Sequence, residues 1–350
     1  MSGISDVARL AGVSKSTASR ALSGSGYVSE RTRIKVRAVA ASLGYVPSSN
    51  AASLVTGRTR NVGVVIPYLH RWFFAEVLEG IQSALLERGL DLTLYDANPG
   101  TDGRRRIFED FLARKRFDGL IAVGLEPEDH ELERLLMIGR PLVSVVGSDA
   151  DATVIGIDDD DAGRRATSHL TGLGHRRIAF VGGGSTARWA SVDRRRLGGY
   201  LAGMAEAGLA EHTQHVVSDV SLPGGYAASV DLLGAARTRP TGIVAVCDEV
   251  AIGTIIAARR LGIRVPSDLS VVGIDDHEYA EMFALTTLQQ LPREQGRLAV
   301  ELLEAELGGA GEPRRVELSA RLIVRASTGP VDSRHSVFSS DPRPGIDHIG

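Results

Sequence analysis

The stretch "VARLAGVSKSTASRALS", Val7 to Ser23, carries two helical segments that are each too short to stand alone. Val7, Ala8 and Ala11 recur at helical spacing, and Gly12 sits where a glycine ends a helix. Ser14 is placed to cap a second helix over about Lys15 to Leu22. Ala18, Ala21 and Leu22 share one face of it; Lys15, Ser16, Ser19 and Arg20 share the other. Helices of about eight residues are unstable in isolation, so both must pack on a third element. Ser29 to Leu43 supplies it, with Ser29 as cap, Ile34, Val36 and Val39 as core side chains, and Gly44 as stop. Two short helices about a glycine-containing turn, apolar on one side and cationic on the other, predict a helix-turn-helix. The polar face suits a major groove, where Lys and Arg reach guanine edges and Ser bonds bases or phosphates.

Charge separates this head from the rest. Residues 1–60 contain nine basic side chains against two acidic ones, a balance of +7 within a chain of net charge −3, so the remainder carries −10. A basic head on an acidic body points to a nucleic-acid-binding segment joined to something that is not one. The chain has 350 residues, enough for more than one domain. Its mean hydropathy is +0.00, and no apolar run approaches the roughly 18 residues of a membrane helix. The opening MSGISDVARL lacks the regions of a secretory signal, so a cytoplasmic location without membrane contact is expected. Cys247 is the single cysteine, which excludes an internal disulfide, and no Cys/His cluster has zinc spacing.

Gly44-Tyr45-Val46-Pro47 closes the third helix, and Ser48 to Gly57 follows as a helix-length segment with hardly any core-facing residue. Such a segment orders only against a partner, and Leu54 is a candidate wedge between base steps of a minor groove. From Asn61 the pattern becomes apolar runs alternating with amphipathic helices. The runs are VGVVIP (62–67), LDLTLYD (90–96), GLIAVG (119–124), PLVSVVG (141–147), RIAFVGG (177–183), HVVSDV (215–220), GIVAVC (242–247) and LSVVGID (269–275). This alternation predicts parallel sheets covered on both faces, as one barrel or as two doubly wound halves. "ATVIGIDDDDAGRRA" reads as a crossover between halves. Ligands of open parallel sheets sit at the carboxyl ends of strands, which here present Pro67 to Phe74, Asp158, Asp219, Asp248 and Asp275-Asp276. That polar and aromatic set suits a sugar or nucleoside.

Residues 1–57 resemble the DNA-binding head and hinge of the LacI/GalR family of bacterial transcription regulators, on "DVARLAGVSKSTASRAL", "YVSERTR", "LGYVP" and the Ala51 to Leu54 "AxxL". The resemblance continues to about Pro330 through "LGHRRIAFVGG", "RLGGY", "DEVAIG", "RVPSDLSVVGIDD" and "ARLIVRAST". It implies that Lys15, Ser16 and Arg20 read bases, that Thr17, Ser19 and Tyr27 help hold phosphates, and that Leu54, with Ala51 in the same hinge motif, enters a central CpG step. In the body it implies an effector pocket with Phe73 and Phe74 on its wall, Arg196 and Asp275 holding hydroxyls, and Asp158 at another pocket position. Three departures bear on the effector's identity. His70-Arg71-Trp72 replaces Ser-Asn-Pro, Cys247 replaces an asparagine before Asp248, and Val220 stands where an aromatic is frequent. Trp72, Val220, Cys247 and Asp248 thereby join the pocket candidates.

The expected architecture is an all-α helix-turn-helix head (1–46), a hinge helix and linker (47–60), and an α/β body of two doubly wound parallel-sheet lobes of periplasmic-binding-protein type (61–330). The first lobe takes about 61–160 and 290–320 and the second about 161–289 and 321–330; residues 331–350 are expected to be a disordered tail without heptad leucines. The expected function is that of a homodimeric, sequence-specific regulator, not an enzyme. It represses carbohydrate-utilisation genes from a palindromic double-stranded operator with a central CpG and is released by a small sugar-like effector. The alternatives are a corepressor-dependent regulator or activator of the same architecture, or a small-molecule-binding protein without a DNA function. No cofactor or metal is implied, because the acidic run Asp158 to Asp161 suits helix capping and Gly182-Gly183-Gly184-Ser185 lacks a dinucleotide fingerprint.

Overall fold

The computed structural model describes residues 3–24, 26–45, 57–147, 152–183, 191–309 and 313–331. Ala51, Leu54 and the expected hinge helix, Gly184-Ser185 and the tail from 332 lie outside these described residues.

The head has three helices, α1 (Ile4–Ala11), α2 (Lys15–Ser23) and α3 (Glu30–Ser42). α1 stops at Gly12, whose φ of 64° lets its N–H turn back onto the carbonyls of Ala8 and Arg9. α2 starts at Ser14, whose hydroxyl accepts the Thr17 N–H at 3.1 Å. Val7, Ala8, Ala11, Ala18, Ala21, Val36 and Ala40 form the buried core, small enough to let the helix axes approach closely. Ile34, expected in that core, is 61% exposed. It lies two residues from Val36, about 200° around the helix, so burying Val36 and Ala40 turns Ile34 to solvent.

The body forms two sheets, not a barrel. The first contains β1 (Asn61–Ile66), β2 (Asp91–Asp96), β3 (Gly119–Leu125), β4 (Leu142–Gly147), β5 (Thr153–Ile157) and, from late in the chain, β11 (Arg315–Leu318). Its order is β2-β1-β3-β4-β5-β11, all parallel. The second contains β6 (Ile178–Val181), β7 (Gln214–Val216), β8 (Gly242–Ala245), β9 (Ser270–Asp275), β10 (Thr286–Gln289) and β12 (Arg321–Ile323). It repeats the order as β7-β6-β8-β9-β10-β12, with β12 alone antiparallel. In each sheet the winding reverses beside its first strand, the point where open parallel sheets receive ligands.

Helices cover both faces. α4 (Trp72–Glu87) and α11 (Pro292–Leu307) pack on one side of the first sheet; α5 (Asp102–Arg106), its π-helical continuation Ile107–Phe111 and α6 (Asp129–Met137) pack on the other. Val77, Ile81 and Leu85 of α4 repeat every four residues and are fully buried, each contributing about 1.5–3 kcal/mol. The second sheet is covered by α7 (Asp159–Gly172), α8 (Ser191–Glu206), α9 (Leu222–Gly234) and α10 (Asp248–Arg260).

Two expectations need correction. The stretch read as an irregular crossover is a regular strand, β5, buried along its whole length, followed at once by α7; Asp158 alone joins them. The run HVVSDV shortens to Gln214–Val216, and Val220 lies in the loop before α9.

Candidate DNA-binding face and interlobe cleft

On α2 the side chains of Lys15, Ser16, Ser19 and Arg20 are exposed, while Ala18 and Ala21 are fully buried beneath them. Neither Lys15 nor Arg20 makes an ion pair among the described residues. The Arg20 stem lies across Gly26, where an added Cβ would stand 3.2 Å from its Cδ. The Ser14 hydroxyl also meets those of Ser16 at 3.0 Å and Thr17 at 2.8 Å, which fixes the first turn. Tyr27 is 95% exposed beside this face, an unusual cost for an aromatic ring without a partner. The helix therefore presents a polar, cationic ridge on a rigid apolar base.

In the body, the carboxyl ends of β1 and β3 face those of β6, β8 and β9. Gly163 of α7 and Gly199 of α8 set the centre of the second lobe. A Cβ on Gly163 would lie 2.1 Å from the Arg196 carbonyl oxygen, and one on Gly199 would lie 2.0 Å from that of Asp160. This close crossing brings the acidic start of α7 against the arginines of α8. Arg196, 5% exposed, donates to Asp159 at 3.0 Å and to the Val246 carbonyl at 2.7 Å, and stands 3.7 Å from Asp275. Burial disfavours its charge, but Asp159 and Asp275 outweigh burial and hold the guanidinium ionised.

Asp158 has a different part from the one expected. Its Oδ1 accepts the N–H groups of Asp160 and Asp161 and pairs with Arg195 at 3.1 Å, so it caps α7, and Asp159 is the carboxylate beside Arg196. Asp160 pairs with Arg195 and Asp161 with Arg164, so each acid of the run has its own partner. Asp248 also serves the scaffold. It is fully buried and accepts the Thr287 hydroxyl at 2.7 Å and the His277 N–H at 2.8 Å, against Gly273, which leaves room for no side chain. Burial, then the neighbouring Asp275, pushes its carboxyl up to about 8. Asp275 accepts from Gln290 at 2.6 Å and takes a φ of 131° at the end of β9; burial pushes it up to about 6 against the pull of Arg196. Cys247, 6% exposed, packs into the second core; burial, then Asp275, pushes its thiol up, which opposes nucleophilic use. Val220 is half-buried against the same core.

From the first lobe, Phe74 presses on Gly124, whose φ of 55° and missing side chain admit the ring, and meets Phe73 edge-on at 5.7 Å. Trp72 opens α4 and reaches the second lobe, its ring 4.7 Å from that of His277. His277 was invisible in the sequence reading, as were two further contacts across the cleft. The Ser191 N–H and hydroxyl donate to Glu126 at 2.9 and 2.6 Å, and Glu249 accepts the Trp72 N–H. Asp193, in the first turn of α8, was also missed. A separate cavity of about 720 Å³ lies at the opposite end of the first lobe, where Arg58 and Arg60 leave the linker beside Asp118. Asp118 accepts the Thr59 and Arg60 N–H groups and so anchors that exit.

A basic three-helix head joined to two lobes of repeated winding has clear counterparts. Residues 3–48 match the bacterial regulatory proteins of the lacI family, and residues 167–328 match the periplasmic binding protein-like domain. Over 335 residues the chain is 33% identical to the HTH-type transcriptional repressor PurR of Photobacterium profundum, covering 93% of this chain and 98% of that protein. It is 33% identical to the HTH-type transcriptional regulator DegA of Bacillus subtilis over 341 residues, 94% and 99% of the two chains. Among solved structures, the lac repressor dimer bound to operator and the anti-inducer ONPF superposes with a TM-score of 0.83 at 27% identity, over 94% of this chain and 99% of that one. A LacI family regulator from Enterococcus faecium with bound ribose gives 0.69 at 26% identity, over 78% and 100%. Among the described residues no helix is long and apolar enough to cross a membrane. The chain thus belongs to the LacI family of bacterial transcriptional regulators, DNA-binding proteins whose two-lobed body answers to a small-molecule effector.

Proposed function

We propose that this regulator is a homodimeric repressor of carbohydrate-use genes, released from a palindromic operator when a sugar-like effector enters the interlobe cleft. The observation that carries the ligand class is Arg196, buried between Asp159 and Asp275 and opposite the aromatic start of α4. Guanidinium and carboxylate groups held this way bond vicinal hydroxyls, and Trp72, Phe73 and Phe74 offer apolar faces to a sugar ring. The ribose held by the Enterococcus faecium neighbour supports the same class.

On DNA, Lys15, Ser16 and Arg20 read base edges while Thr17, Ser19 and Tyr27 hold phosphates. A twofold dimer sets two α2 helices on the half-sites of a palindrome, and Ala51 and Leu54 belong to a hinge that enters a central CpG. Effector binding changes lobe closure and lowers operator affinity; by linkage, operator lowers effector affinity by the same factor. The test is fluorescence anisotropy on a palindromic duplex selected from random DNA, titrated at fixed salt with sugars and nucleosides. Release by a sugar supports the reading. Binding strengthened by a panel member indicates a corepressor, and a nucleoside as the only releasing ligand overturns the carbohydrate assignment.

A further inference from the structure

The cleft holds more negative than positive charge, and one of its carboxylates has no hydrogen-bond donor. Facing the gap from the first lobe are Glu126 and Arg71; the second lobe adds Glu249, Asp159, Asp275 and Arg196. Most of these acids have a partner. Asp159 takes the Arg196 Nε–H, Asp275 takes the Gln290 amide, Glu126 takes both donors of Ser191, and Glu249 takes the Trp72 N–H. Asp193 is 9% exposed and receives no hydrogen bond among the described residues. It lies two residues after Ser191, which is clamped to the first lobe, so it sits where the lobes meet, within the fields of Arg196, Arg71, Asp159 and Glu126. Burial pushes its carboxyl up, the behaviour of an acid short of a counter-charge. Removing an acid from water without a donor is costly, so such a group signals that a donor arrives with the ligand.

We propose that the effector carries a cationic amine, as an amino sugar or amine-bearing polyol does, and that Asp193 receives that amine. The inference rests on the reading of the cleft as the effector site and narrows its ligand class. An ammonium beside Asp193 supplies the missing donors and relieves the excess negative charge, while the hydroxyls engage Arg196 and Asp275. A phosphorylated or carboxylated ligand would add negative charge to a wall that already has too much.

The test is calorimetric titration of the full-length protein with glucose, galactose and mannose, each with its 2-amino, 2-acetamido and 6-phosphate counterparts. The readout is the ratio of Kd for the parent sugar to Kd for the amino sugar in one preparation, which cancels any loss of folded protein. The wild type is expected to prefer an amino sugar at least 10-fold over its parent and its acetamide, and Asp193→Asn to bring that ratio close to one. A parent sugar or acetamide bound as tightly as the amine overturns the proposal, as does a phosphate bound tightest, a preference that survives in Asp193→Asn, or a set in which nothing binds. Parent sugars that bind and release operator without an amine preference defeat this proposal alone. An amino sugar that binds with no effect on operator affinity defeats the regulatory reading and leaves this one standing.

Discussion

The rings of Trp72 and His277, one from each lobe, lie 4.7 Å apart and inclined by 36°. The contact is built into both ends of the cleft. Trp72 starts α4, and His277 is fixed from behind because its backbone N–H donates to Asp248 and its Nδ1 accepts the Tyr279 N–H at 3.1 Å. Burial lowers the His277 pKa, so the ring that meets Trp72 is the neutral one. The pair is a latch on the closed arrangement of the lobes.

An aromatic pair contributes about 0.5–1.5 kcal/mol beyond the area it buries. Trp72→Ala is therefore expected to weaken the sugar that binds the wild type by about 2- to 13-fold, by making closure less favourable. Operator binding without ligand should keep its salt dependence, since the head is untouched. Calorimetric titration measures the first and anisotropy the second; an unchanged sugar affinity would mean that the stack forms no part of the ligand-bound state.

Asp248 predicts a pH dependence with a definite sign. Its folded pKa of about 8 lies above the ordinary carboxylate value of 3.8, so the fold binds a proton that the unfolded chain releases. The contribution is fully present below about pH 4 and is lost as pH rises through 8. Asp248→Asn should flatten that decline, because an amide can accept the His277 N–H with its oxygen while its NH₂ faces a Thr287 hydroxyl free to rotate. Melting temperatures from pH 5 to 9 check this: the wild type should lose more over that range than the variant. Equal slopes would assign the titration to other groups.

Gly199→Ala tests what places Arg196. Alanine favours a helix over glycine by about 1 kcal/mol, yet here its Cβ would stand 2.0 Å from the Asp160 carbonyl oxygen. Overpacking typically costs about 1–3 kcal/mol, and a backbone atom cannot swing aside as a side chain can, so the clash should outweigh the propensity gain. A melting point lowered by several degrees is expected, together with weaker sugar binding as the two helices part and Arg196 shifts from Asp159. A more stable variant would refute the close crossing.

The head was legible because its signals are local. Ser14, Gly12 and Ser29 act on residues three or four positions away, and the alternation of alanines with Lys15 and Arg20 fixes which face of α2 is buried. Ile34 was misplaced because three apolar residues on a short helix allow two faces, and only packing selects one. In the body, β10, β11 and β12 escaped notice because each has three or four residues and pairs with distant strands. Asp158 and Asp159 are chemically identical neighbours, and the crossing at Gly163 and Gly199 decides which one meets Arg196. Asp193 and His277 carry no motif at all. Their roles arise from facing the other lobe, which sequence spacing does not encode.

Arg20 and Tyr27 separate reading from holding. Arg20 projects from the exposed ridge of α2 and makes no ion pair among the described residues, so a base edge in the major groove can take its guanidinium without first breaking a contact. A bidentate contact of this kind discriminates against the wrong base by about 1–3 kcal/mol. Arg20→Ala should lose that much at one position of each half-site, relaxing the preference there while binding to unrelated DNA stays nearly as strong. Tyr27 stands off the ridge, and its hydroxyl suits a phosphate, so Tyr27→Phe should weaken every duplex by a similar factor and leave the order of sequences unchanged. Anisotropy competition with duplexes altered one base pair at a time distinguishes the two. If Arg20→Ala weakened all sequences alike, its guanidinium would belong with the phosphate contacts, and the reading role of α2 would fall to Lys15 and Ser16.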